Sequence, residues 1–164
     1  MNTFKALALT GAALAFAAAQ TAVAAPGPSP KPFSGTWQLN SAKSKFSSPD
    51  SSEKSETRSY SVSGNRVTMK SNTITGSGKP MKWSYSAVTN GKWYPTTGNP
   101  NADHIALTLV SDREVNSKTQ LHGKPSAKAS ASVSADGKVL TINRSILTAK
   151  GGPSDDTLVF DRTK

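Results

Sequence analysis

The sequence has no cysteine in its 164 residues. That absence excludes a disulfide framework, thiolate metal sites and thiol catalysis together. Acidic residues are scarce, with 10 Asp and Glu against 20 Lys and Arg, a formal charge of +10. Histidine occurs only at His104 and His122, and aromatic residues make up 7% of the chain. No long hydrophobic run follows Ala24. Motifs that carry chemistry are missing too: there is no Gly-x-Ser-x-Gly, no His-Glu-x-x-His and no phosphate loop. The strand register described below brings no pair of carboxylates together, and Asp155-Asp156 reads as part of a Gly-Pro-Ser turn. These absences point away from an enzyme and imply no cofactor.

What is present begins with a targeting segment. Lys5 supplies a positive n-region, Ala6 to Ala19 is apolar or small, and Ala22-Val23-Ala24 offers a small-x-small cleavage pattern. Residues 1–24 therefore read as a signal peptide, since the apolar stretch falls short of the ~20 residues a spanning helix needs. The mature chain is expected to start near Ala25 and to be periplasmic or secreted. Residues 25–34 contain four prolines and read as a stiff, extended and poorly packed leader. Residues 35–164 form one domain on this reading.

Alternation with period two dominates that domain. Met81, Trp83, Tyr85 and Ala87 share one face, with Lys82, Ser84 and Ser86 on the other. Similar runs occur at Ile105/Leu107/Leu109, Ala127/Ala129/Ala131/Val133 and Leu158/Phe160. This is the pattern of half-buried antiparallel strands. Up to ten are expected: 35–40, 56–63, 66–74, 81–89, 92–96, 104–110, 113–122, 127–135, 138–147 and 157–162. Residues 47–55, rich in serine, read as a flexible loop. A two-residue loop at Gly64-Asn65 sets Val62 against Val67 and Tyr60 against Met69. The same loop at Asp136-Gly137 sets Val133 against Leu140, Ala131 against Ile142 and Ala127 against Ile146. Eight to ten sequential strands with one apolar face close most easily into an antiparallel up-and-down β-barrel. A two-sheet sandwich is the alternative, but it uses long crossings that this spacing does not require.

The opening strand carries Gly35-Thr36-Trp37, then Gln38-Leu39-Asn40 and Lys43-Ser44-Lys45-Phe46. Gly-x-Trp on a first strand resembles the signature of the lipocalins and related calycin barrels. The longer string is similar to a group of small, secreted, largely uncharacterised bacterial lipocalin-like proteins. Gly91-Lys92-Trp93-Tyr94-Pro95 through Pro100, and Ser134-Ala135-Asp136-Gly137-Lys138-Val139-Leu140-Thr141, also fit that group. The resemblance spans about residues 33–162 and implies a lipocalin-like barrel. Trp37 would close its floor and Arg162 would lie over the indole. It brings a fold and no activity.

Inward positions should include Tyr60, Met69, Trp83, Tyr85, Tyr94, Leu107 and Leu109. They either line a cavity for a small apolar ligand or fill the barrel. Arg144 falls on the inward face opposite Ala129, with no acidic residue evidently inward beside it. Its partner is then an acidic ligand group, or else Arg144 reaches solvent at a rim or is turned outward by a bulge. The candidate ligand-binding residues are thus Tyr60, Met69, Trp83, Tyr85, Tyr94, Leu107 and Arg144. His104 and His122 lie about 7–10 Å apart on the outer face, too loose for a metal site without a third ligand. Asp103 would point to the opposite face from His104 if the strand already runs there.

The leading expectation is a non-enzymatic binding protein holding a small apolar or weakly acidic ligand in a barrel cavity. The alternative is a cationic module with a filled barrel that associates with anionic envelope components or with a protein. The lysines are scattered rather than clustered, so nucleic acid is not an expected partner.

Overall fold

The computed structural model describes residues 27–147 and 153–163 and shows a closed antiparallel barrel of ten strands. The strands are β1 (Gly35–Leu39), β2 (Glu53–Ser63), β3 (Arg66–Thr75), β4 (Pro80–Val88) and β5 (Asn90–Thr97). They continue as β6 (His104–Ser111), β7 (Glu114–Leu121), β8 (Lys124–Val133), β9 (Val139–Leu147) and β10 (Pro153–Arg162). Each strand pairs with its neighbours in sequence, and β1 pairs with β10 to close the ring, Trp37 opposite Arg162 and Leu39 opposite Phe160. That closure removes the sandwich alternative. The proposed signal peptide lies outside the described residues. Among those residues, no helix is long and apolar enough to cross a membrane.

The hairpin registers follow from hydrophobic parity. Val62 faces Val67 and Tyr60 faces Met69. Val133 faces Leu140, Ala131 faces Ile142 and Ala127 faces Ile146. A slip of one residue would turn these faces out and bury serine and lysine. Gly64 takes φ +56° in the β2–β3 turn, a conformation cheap only for glycine. Gly98, at φ +78°, lies so close to β4 that a Cβ there would sit 2.1 Å from the Lys82 carbonyl oxygen.

Several strands begin earlier than alternation alone indicates, and in two of them the added residues include acidic ones. β2 starts at Glu53 with a register irregularity between Glu53 and Ser55, so residues 53–55 are not simply a loop. β10 starts at Pro153 and takes in Asp155 and Asp156, which are therefore strand residues rather than turn residues.

The turns at Gly64, Asp112 and Gly137 gather at one end, and residues 29–34 fold across it. The Ser29 amide donates to Asp112 and the Ser29 hydroxyl to the Gly64 carbonyl, both at 2.8 Å. A short 3₁₀ turn at Lys31–Phe33 buries Phe33 under the barrel. Residues 29–34 of the leader are thus packed, against expectation, because Phe33 and Pro30 supply apolar surface that the barrel end accepts. Trp37 is fully buried beside them and donates its indole N–H to the Phe33 carbonyl at 2.9 Å. The Arg162 guanidinium lies 4.1 Å from the Trp37 ring centroid and donates to the carbonyls of Gly137, Ser34 and Pro32. Such a stack adds about 0.5–2 kcal/mol. This end is plugged.

Candidate functional site

The core does not fill the barrel. Met69, Leu140, Leu158 and Phe160 pack densely against Trp37 near the plug. Beyond them a cavity of about 300 Å³ runs toward the opposite end, walled by Tyr60, Trp83, Tyr85, Leu107, Ile142 and the small side chains of Ala127, Ala129 and Ala131. The alanines of β8 explain the space: a methyl group at each inward position leaves room that a leucine would occupy. Asp50 and Asn101, from the loops, and the exposed Lys128 of β8 also border the cavity. A larger, shallower hollow of about 770 Å³ crosses the outside of β5–β10 beside the exposed Trp93. It opens to solvent and is bordered mainly by outward lysine, serine and asparagine side chains, so the interior cavity has the better geometry for a small molecule.

Five of the candidate residues meet on the cavity wall: Tyr60, Trp83, Tyr85, Leu107 and Arg144. Met69 is fully buried in the packed core beneath it. Tyr94 packs on the core edge, where its hydroxyl accepts from Asn90 at 3.1 Å and Arg66 lies 6.0 Å from its ring. Neither of these two borders the cavity.

Arg144 points inward opposite Ala129, but its expected lack of an acidic partner is corrected by the structure. Nε donates to Asp156 at 3.1 Å, Nη1 to Glu53 at 2.8 Å and Nη2 to the Ser51 carbonyl at 2.7 Å. Each of its three nitrogens thus donates to a protein acceptor. Asp156 also accepts from the Ser47 amide and the Ser51 and Ser154 hydroxyls. Burial opposes the charge on Asp156, yet these donors and Arg144 hold its carboxyl below the usual range.

A second charged group inside the barrel involves residues that the apolar pattern did not single out. Glu56 and Arg58 alternate with Tyr60 on the inner face of β2, and the Arg58 Nε donates to Glu56 Oε1 at 2.7 Å. The Ser71 hydroxyl donates to the same oxygen. Arg58 lies 5.1 Å from the Phe160 ring centroid and 5.7 Å from that of Trp83. Its Nη1 is 3.5 Å from the Tyr60 hydroxyl, and its Nη2 has no partner among the described residues. Arg58 also borders the cavity, so this nitrogen is a donor available to a ligand.

The irregularity in β2 brings Glu53 to the same buried inner face as Glu56, where each carboxyl shifts the ionisation of the other. The expectation that no carboxylates come together is therefore corrected. A β-bulge is what allows two residues of opposite parity to point the same way. Burial and the charge on Glu56 push Glu53 up to about 7, against the pull of Arg144 and Arg58. Burial also opposes ionisation of Glu56, but Arg58, Glu53 and Ser71 bring it down to about 2. Burial raises the Tyr85 phenol well above its ordinary value, so it stays neutral beside Tyr60 and Arg58.

The histidines meet outside the barrel. Asp103 immediately precedes β6, so the strand does not yet run there and alternation does not set it opposite His104. Its Oδ1 is 3.0 Å from the His104 Nδ1, and its Oδ2 accepts the His122 amide at 2.7 Å with the His122 ring at 3.5 Å. The hydrogen bonds from His104 and the His122 amide lower the Asp103 carboxyl. No cluster able to hold a metal occurs among the described residues.

No family model and no curated protein matches the sequence. Solved structures do resemble it. The chain is similar to zebrafish ileal bile acid-binding protein complexed with cholic acid, with a TM-score of 0.54 and 10% identity over 80% of this chain and 99% of that one. It is similar to Rv2717c from M. tuberculosis, with a TM-score of 0.53 and 12% identity over 81% and 94% of the two chains. Lobster apocrustacyanin A1 aligns with a TM-score of 0.44 and 18% identity over 81% and 62%. At these identities the likeness concerns architecture alone, and it agrees with the ring of ten sequential strands: the chain has the lipocalin-like β-barrel fold.

Proposed function

We propose that this protein is a non-enzymatic, exported binding protein that holds one small molecule inside the barrel, with the molecule's apolar, flat body against Trp83, Tyr85 and Leu107. Its acceptor or acidic group would meet Arg58. The observation that carries this reading is the cavity of about 300 Å³ with an unengaged guanidinium nitrogen on its wall. That volume lies at the low end of ligand pockets, which suits a one- or two-ring compound. Arg144 lines the cavity as well, but its donors already serve Glu53, Asp156 and Ser51, so its role is to set the shape and charge of the wall. The zebrafish protein is complexed with cholic acid, which likewise joins an acidic group to an apolar body. A barrel acting only through its cationic coat would have no need of such a hollow.

Native mass spectrometry of the mature protein purified from a periplasm tests the reading. A stoichiometric small-molecule adduct that is released on denaturation is expected, on a chain beginning near Ala25. A clean apo mass, with no calorimetric response to either naphthoate or naphthamide, would overturn it.

A further inference from the structure

The inner wall carries one carboxyl group too many. Facing the cavity or buried directly behind it are two guanidiniums, Arg58 and Arg144, and three carboxyls, Glu53, Glu56 and Asp156. Each guanidinium binds a carboxylate closely: Arg58 holds Glu56, and Arg144 bridges Asp156 and Glu53. Among the described residues, two buried side-chain polar atoms lack any hydrogen-bond partner, and they are Glu53 Oε2 and Glu56 Oε2. Both belong to carboxyl groups on the same buried inner face, each of which shifts the ionisation of the other. Two orphaned acceptors on neighbouring buried carboxyl groups, in a site with one negative charge in excess, define the place of a proton.

We propose that Glu53 and Glu56 share one proton between their Oε2 atoms, and that the cavity binds a monoanionic ligand by retaining this proton and loses that ligand when the proton leaves. The second half rests on the ligand-binding reading above. With the proton in place, Glu53 donates to Glu56, both orphaned atoms are satisfied and the five charged or titrating groups sum to zero. A ligand carboxylate at Arg58 Nη2 then adds the only unbalanced charge. Without the proton the wall is already at −1, and the same carboxylate meets a second uncompensated negative group in a low-dielectric interior. The raised position of Glu53, about 7, places the change near neutrality.

The remaining groups around the pair do not compete for this role. Ser71 and Thr73 on β3 are neutral hydroxyls that extend the hydrogen bonding behind Glu56. Tyr85 on β4 is held neutral by burial, and the Tyr60 hydroxyl faces Arg58. Asp156 on β10 is held ionised by Ser47, Ser51 and Arg144. Asp50 and Lys128 border the cavity but are themselves exposed to solvent.

Two measurements separate the proton from the ligand. An infrared pH titration of the ligand-free protein should show a protonated-carboxyl carbonyl band that persists toward neutral pH and is absent from Glu53→Gln. Absence of that band from the unmodified protein would overturn the shared proton. Calorimetry with naphthoate and with its neutral isostere naphthamide then reads the coupling. Naphthoate affinity should fall by up to ~10-fold between about pH 6 and about pH 8, the most that one proton leaving a group at about 7 allows over this range, while naphthamide changes less than ~2-fold. Glu53→Gln, which donates permanently to Glu56, should remove the pH dependence. Level naphthoate binding across this range would overturn the coupling. An infrared band accompanied by no binding of either compound would instead refute the ligand-binding cavity and leave the shared proton standing.

Discussion

Replacing Glu53 by Gln should stabilise this protein at alkaline pH, although the residue is buried and salt-bridged. Burial and Glu56 raise the Glu53 carboxyl from 4.5 to about 7 in the folded barrel. Between those two values the folded state binds a proton that the unfolded chain has already released, so stability falls as pH rises through the interval. A shift of that size amounts to ~3 kcal/mol at 1.36 kcal/mol per pH unit. The contribution is whole below pH 4.5 and gone above about 7. Glu56 acts with the opposite sign. Its carboxyl is lowered from 4.5 to about 2, so its contribution is present above 4.5 and disappears as pH falls toward 2. The pair therefore contributes most near pH 4.5. Gln at position 53 keeps an oxygen for Arg144 and presents an amide N–H to Glu56, copying the protonated form at every pH. Chemical denaturation of both proteins at a series of pH values isolates the effect, because all other titrating groups cancel in the difference. Relative to the parent, the variant should gain ~3 kcal/mol between about pH 4.5 and about pH 8. For a domain of this size that is a relative rise in Tm of order 10 °C. A difference that stays flat within ~0.5 kcal/mol, or one that grows in the parent's favour with pH, would refute the shared-proton argument.

Other substitutions probe the plug, the wall and the turns. Arg162→Ala removes the stack on Trp37 and donors to three carbonyls, and should cost ~3 kcal/mol in urea melts, with Arg162→Lys recovering less than half because an ammonium cannot span the fork. Arg144→Leu leaves Asp156 and Glu53 without their cation in a buried site and should cost ~3–5 kcal/mol, whereas a residue waiting for a ligand would be replaced at little cost. Gly98→Ala must bring a methyl group against the Lys82 carbonyl as well as adopt φ +78°, while Gly137→Ala, at φ +72°, meets open space. The first should therefore destabilise by at least ~1 kcal/mol more than the second, and equal losses would show that the contact between the end of β5 and the start of β4 yields.

The barrel was legible in the sequence because its outer wall is polar and its inner wall is apolar over most of the length. Tyr60, Val62, Val67 and Met69 alternate with serine, threonine and charge, and that contrast alone sets the β2–β3 register. The contrast fails near the end opposite the plug, where the inner wall becomes polar. Parity still held there in part. Counting back by twos from Tyr60 puts Arg58 and Glu56 inside, and counting back from Phe160 and Leu158 puts Asp156 inside. A reading that follows apolar positions alone passes over these three, and so leaves Arg144 without the carboxylate that lies opposite it on β10. Glu53 is different, because it has the wrong parity for the inner face. Only the irregularity at the start of β2 brings it in, and that irregularity falls in a stretch of serines whose uniform polarity carries no inward–outward signal. The residue that makes the wall's charge odd, and hence leaves a place for a proton, is the one whose position alternation could not specify.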